Sequence, residues 1–185
     1  VSSDTPGFLA VTTLMNHGNH DAWILPPESQ ADLRREMLAS GGSAEFAEYM
    51  VRLAEANEAY EVFRLRLLER LDGAPLIILR YGDHAPPCLA GLTGKSPGDP
   101  DLRRTFFAIE SHNMTLPADL VVPEPLDSAF LSTVTLLAAG LRLDPVAATR
   151  AGLIGECGSA YFDSDSARKR RFHRTLVDAG LIDLA

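Results

Sequence analysis

Residues 44–71 carry their apolar side chains at helical spacing, and a short apolar run of strand character follows almost at once. That change of period constrains the fold more than any other feature of the chain. Phe46, Met50, Leu53, Tyr60, Phe63, Leu67 and Leu71 recur at spacings of three, four or seven, which places them along one side of a long helix. Ser43 stands where an N-cap belongs. Asp72-Gly73 turns the chain, and Pro75-Leu76-Ile77-Ile78-Leu79 opens a strand predicted over 75–81. Helix followed by buried strand is the alternation of the α/β class.

The rest of the chain extends that pattern. Phe8–Met15 is apolar and rich in β-branched residues, so a buried strand is expected there, ending in the polar loop Asn16-His17-Gly18-Asn19-His20. Strand, helix and strand in that order make a right-handed parallel crossover the default. Ser29–Ala39 reads as a helix stopped by Gly41, and residues 85–103, rich in proline and glycine, read as an irregular surface loop. Phe106-Phe107-Ala108-Ile109 predicts another strand, ending at Glu110-Ser111-His112-Asn113, and Leu120-Val121-Val122 a short extended piece. Helices are expected over Asp127–Ala139, after the cap Asp144-Pro145, and over Ser166–Ala179 with Phe172 and Leu176 on one face. The expected architecture is one α/β domain over 1–185, a mostly parallel sheet flanked by helices.

Bulk properties narrow the function. The length of 185 residues suits one domain with a sizeable core. The net charge of −8 argues against a nucleic-acid partner, which calls for a basic face. Cys88 and Cys157 form no zinc spacing and read as small buried residues. No stretch reaches the ~18 apolar residues of a membrane span, and no signal peptide is visible, so the chain itself is expected to be soluble. It opens at Val1 and enters an apolar segment almost immediately, which reads as a cut through a larger protein.

Chemistry-bearing residues gather at predicted strand ends. Gly82-Asp83-His84 follows the strand over 75–81, His17 and His20 follow the first strand, and Glu110 and His112 end the third. The carboxyl edge of an open α/β sheet is where ligands bind. Asp, His and Glu converging there would suit Zn²⁺ or Mn²⁺. Alternatives stand beside each residue. Gly-Asp is ordinary turn chemistry, the histidines can be solvated or hydrogen-bonded loop residues, and the run Arg168-Lys169-Arg170-Arg171 with Arg174 can be a solvated helix face. Trp23, near His17, reads as core, rim or pocket lining.

Taken in order, these segments resemble the alkaline phosphatase/sulfatase superfamily, most closely its lipoteichoic acid synthase-like branch of phosphoglycerol and phosphoethanolamine transferases. Phe8 through Gly18 resembles the family strand ending in Ser-Asn-His or His-Gly-Pro-Tyr. The helix bearing Tyr49, Leu53 and Tyr60 is similar to the connection that follows, and Leu76–Pro87 to the strand ending Gly-Asp-His-x-Pro. Arg104–Ile109 and Leu126–Gly140 resemble the next strand and helix. The likeness covers most of residues 7–140.

The resemblance implies an alkaline phosphatase-like fold, Asp83 and His84 as ligands of a divalent metal ion (Mn, Zn or Mg), and His17 as a contact to the substrate phosphoryl group. It implies a phospholipid or other phosphoester substrate, and a parent protein at the extracytoplasmic (periplasmic) face of a bacterial inner membrane. Two departures accompany it. Asn19-His20 stands where Pro-Tyr is usual, and the family's nucleophile and acidic metal ligand lie upstream of the matched segments, so the N-terminal remainder of the parent would have to supply them. The chain is then expected to be inactive alone. A phospho- or sulfo-ester hydrolase of the same fold and a non-catalytic binding domain stay open as alternatives.

Overall fold

A 28-residue helix, α2 (Ala44–Leu71), is the longest element, and its start is set by Ser43, whose Oγ accepts the Phe46 N–H at 3.1 Å. The computed structural model describes residues 6–96 and 98–182. In chain order they form α1 (Ala31–Ala39), α2, β1 (Leu76–Tyr81), α3 (Cys88–Thr93), β2 (Phe107–His112), α4 (Leu131–Ala138), α5 (Pro145–Ala151), α6 (Ile154–Cys157) and α7 (Ala167–Asp178). Two 3₁₀ turns, Pro100–Arg103 and Ser128–Phe130, complete the set. The protein is mixed α/β.

The chain divides into two compact units. The first comprises the residues up to Leu71 and His84–Arg104; the second comprises Asp72–Asp83 and the residues from Thr105 onward. In the first, α1 and α3 pack on α2. Its most buried positions are Ala47, Glu48, Val51 and Arg52 of α2, with Arg34, His20 and Ala90. The apolar face expected from the helical spacing is less buried than this: Phe63 is 44 % exposed. The pattern identifies residues that share a face but not which face meets a neighbour.

In the second unit β1 and β2 pair antiparallel, Leu76 opposite His112 and Tyr81 opposite Phe107. Helix α4 lies against β1. Phe130, Val134, Leu153, Cys157, Tyr161 and Phe172 form the core, joined by Ile109, Val146 and Leu176. Capping follows the sequence: Asp144 accepts from the Ala147 N–H at 2.8 Å and Ser166 from Arg168 and Lys169. The first turn of a helix leaves such N–H groups without partners in the helix itself. Gly140 and Gly180, at φ of +65° and +66°, end α4 and α7.

Two expectations require correction. Phe8–Met15 is not a strand: among the described residues no ladder pairs with it, and Phe8 and Leu9 are 89 % and 74 % exposed. Apolar, β-branched composition favours extended backbone, but a strand exists only where its N–H and C=O groups find a partner. The crossover from that segment to β1 is accordingly absent, and the described sheet is two-stranded and antiparallel rather than mostly parallel. Residues 85–103 are also more ordered than expected. Pro87 and Gly94 bracket α3, too short for its period to be read.

Candidate functional site

Strand β1 ends at Tyr81, and its continuation is fixed by Gly82. The Gly82 N–H donates to the Phe106 carbonyl at 3.1 Å, and a Cβ at this position would collide with the Thr105 hydroxyl. A side chain here would require Thr105 to move aside. Asp83 and His84 follow in an exposed bend. Beyond them the Ala85 N–H donates to the Leu102 carbonyl at 3.2 Å, tying the next segment down within the first unit. His84 Nδ1 lies 3.0 Å from the Ala85 carbonyl. A carbonyl only accepts, so Nδ1 carries the proton, and in the neutral ring the lone pair resides on Nε2.

His17 occupies an exposed turn closed by its own N–H donating to the Leu14 carbonyl at 3.1 Å, with Gly18 at φ +89° just after. That φ lies in the left-handed region that glycine tolerates. Asp83 is the last residue of one stretch of the second unit, whereas His17 and His84 belong to the first. Among the described residues no group of three or more His, Cys, Asp or Glu is placed to hold a metal ion. Asp83 and His84 offer a carboxylate and an imidazole, a donor pair chemically suited to Zn²⁺, Mn²⁺ or Mg²⁺ but short of a full set. Glu110 and His112, on β2, form a pair at 3.5 Å.

A second polar assembly was not foreseen. In the first unit Glu48 is fully buried and takes Arg34 Nη1 on Oε2 at 2.6 Å and Arg52 Nε on Oε1 at 2.9 Å. The Ile24 N–H also donates to Oε1, at 3.3 Å, and Arg52 Nη2 donates to the Ala22 carbonyl at 2.6 Å. Trp23 stacks on Arg34, its ring centroid 4.2 Å from the guanidinium carbon. Burial alone would raise the Glu48 carboxyl, but the bonds from Arg52 and Arg34 hold it below its ordinary value. His20, buried and edge-on to Tyr49, has its pKa lowered first by burial and then by the Arg52 charge. The sequence carried one signal for this: Glu48 and Arg52 stand four apart on α2, the spacing of a helical ion pair.

The other polar expectations divide. Of the basic run, Arg168, Arg170, Arg171 and Arg174 are exposed as expected, whereas Lys169 is buried and donates to the carbonyls of Tyr161, Phe162 and Ser164. Cys157 is buried and Cys88 half-buried, both as free thiols. Among the described residues no helix is long and apolar enough to cross a membrane. Comparison of the chain with family models, with curated proteins and with solved structures finds no match.

Proposed function

We propose that this chain is the C-terminal part of the catalytic domain of a metal-dependent phosphotransferase of the sulfatase-like family, acting on phospholipid-derived head groups such as phosphoglycerol or phosphoethanolamine. The observation that carries the reading is the ordered pair of corner motifs: Asn16-His17-Gly18 after an apolar segment, and Gly82-Asp83-His84 directly after β1. Three features support it. Gly82 gives the tight exit from the strand that the motif needs, packed where a Cβ would meet the Thr105 hydroxyl. Asp83 and His84 are exposed, and the Nδ1–H of His84 donates to a carbonyl, the orienting bond that metal-binding histidines commonly make. Phe8, Leu9, Val11 and Leu14 form an exposed apolar stretch that the N-terminal remainder of the parent would cover.

In this reading Asp83 and His84 hold part of a divalent metal site, and the bound ion supplies Lewis-acid polarisation of a phosphoryl oxygen. His17 donates a hydrogen bond to a non-bridging oxygen, contributing ~2–4 kcal/mol of transition-state stabilisation, as oxyanion donors do elsewhere. The hydroxyl nucleophile and the remaining ligands come from the N-terminal remainder of the parent protein, at the extracytoplasmic face of a membrane. The isolated chain therefore turns over no phosphoester. The test is equilibrium dialysis of the full-length protein against Mn²⁺ or Zn²⁺. Asp83→Ala and His84→Ala are each expected to weaken metal binding by at least about tenfold; unchanged affinity refutes the reading.

A further inference from the structure

Charges and donors around Glu48 do not balance. One carboxylate faces two guanidiniums, and Glu48, Arg52 and Arg34 are 0 %, 1 % and 5 % exposed. Arg34 commits Nη1 to Glu48. Its Nε–H and Nη2–H, which together form another edge of the planar guanidinium, are buried and have no hydrogen-bond partner among the described residues. Buried donors are nearly always satisfied, so two adjacent ones left open on a single charged group need an explanation. Two parallel N–H groups on a guanidinium edge are the geometry that grips an oxyanion through two oxygens.

We propose that this edge of Arg34 is a binding site for a small oxyanion, a phosphate or a carboxylate. Such a ligand brings both what the cluster lacks: one negative charge and a pair of acceptor oxygens. His20, 5 % exposed and within the field of Arg52, Glu48 and Glu45, also has an unpartnered ring nitrogen, Nε2, so a second polar group stands open beside the cluster.

Trp23 covers the site from one side. It is 52 % exposed while stacked on the guanidinium face, and residues 21–29, which carry it, form neither helix nor strand. The Arg34 edge is closed to solvent in this conformation, so the ligand enters only when the groups covering that edge move, and the Trp23 ring, resting on the same guanidinium, reports its arrival. The site uses none of His17, Asp83 or His84 and needs no metal. Its test therefore stands or fails separately from the phosphotransferase reading.

Trp23 is the only tryptophan of the chain, so its emission reads this position directly. The chain is titrated with inorganic phosphate and, separately, with acetate, at constant ionic strength and with chloride as reference. A saturable change with phosphate, acetate or both, absent with chloride, is expected, and the two arms tell which group the fork prefers. Arg34→Lys keeps the charge and removes the fork; it is expected to bind at least about tenfold more weakly. Should that variant lack the native circular dichroism spectrum, the Arg34 Nε–H resonance of the unaltered protein replaces it and is expected to move along the titration. A response no different from chloride, unchanged affinity in Arg34→Lys, or a stationary Nε–H resonance overturns the proposal.

Discussion

Replacing Glu48 with Gln removes one charge and almost no volume, and should destabilise the first unit severely. The carboxylate accepts two guanidinium bonds, at 2.6 and 2.9 Å, and one backbone N–H. Bonds to charged groups contribute about 1.5–3 kcal/mol each, and breaking a buried pair by removing one partner costs about 3–5 kcal/mol. The amide keeps an acceptor oxygen but presents its NH₂ to one of the arginines. A loss of about 3–5 kcal/mol follows, or on the order of 10 °C in Tm for a chain of this size. Urea unfolding followed through Trp23 emission measures it, because that ring rests on Arg34.

The pH dependence has a definite sign. Glu48 has a folded pKa held below its ordinary value of 4.5. Its contribution is present above that value and is lost as pH falls through the lower folded value. Glu48→Gln should flatten this acid limb. A triple variant with Glu48→Leu, Arg34→Met and Arg52→Met separates charge from shape, since apolar replacement of a whole buried ion cluster is often neutral or stabilising. If Glu48→Gln alone shifts stability by less than about 0.5 kcal/mol, the value of an ordinary surface substitution, the cluster does not hold the unit together.

His20 predicts a second pH effect. Its folded pKa lies below 6.5 because burial, then the Arg52 charge, disfavours the imidazolium. The unfolded chain therefore binds the extra proton first, and stability falls as pH drops from about 6.5 towards the folded value; in His20→Gln, denaturant midpoints measured across that window should lose this slope. In the second unit Leu153, 0 % exposed in the core, should cost about 2–5 kcal/mol as Leu153→Ala by chemical denaturation. Asp144→Ala removes the acceptor of the Ala147 N–H and should cost about 1 kcal/mol in the same assay.

Helix ends were the most legible features of the chain because they are written in local chemistry. Ser43, Asp144 and Ser166 cap as their types require, and α2 spans the residues whose period announced it. Strand β1 was legible for a related reason: a short apolar run lies between the turn at Asp72-Gly73 and Gly82. Pairing was not legible. Whether Phe8–Met15 finds a ladder, or β1 lies antiparallel to β2, depends on contacts between distant segments that no local pattern encodes.

The same limit explains the site residues. Asp83 and His84 could be placed at a strand end from sequence because a strand and a glycine precede them. Arg34 and Glu48, fourteen positions apart on different helices, each look like solvent-facing charges until α1 and α2 are brought together. Lys169 misleads likewise, as one of four consecutive basic residues that turns inward to three carbonyls.

The way the two units share the polypeptide bears on how the protein must be made. Leaving α2, the backbone supplies β1 to the second unit, returns for His84–Arg104, and departs again at Thr105. No single uninterrupted stretch encodes either body. On a ribosome α1 and α2 emerge before α3, and β1 before β2, so maturation of the early half is coupled to synthesis of the later one. A cleavage in the Gly82–Ala85 bend would sever α3 from the helix it packs on and β1 from its partner strand in one event.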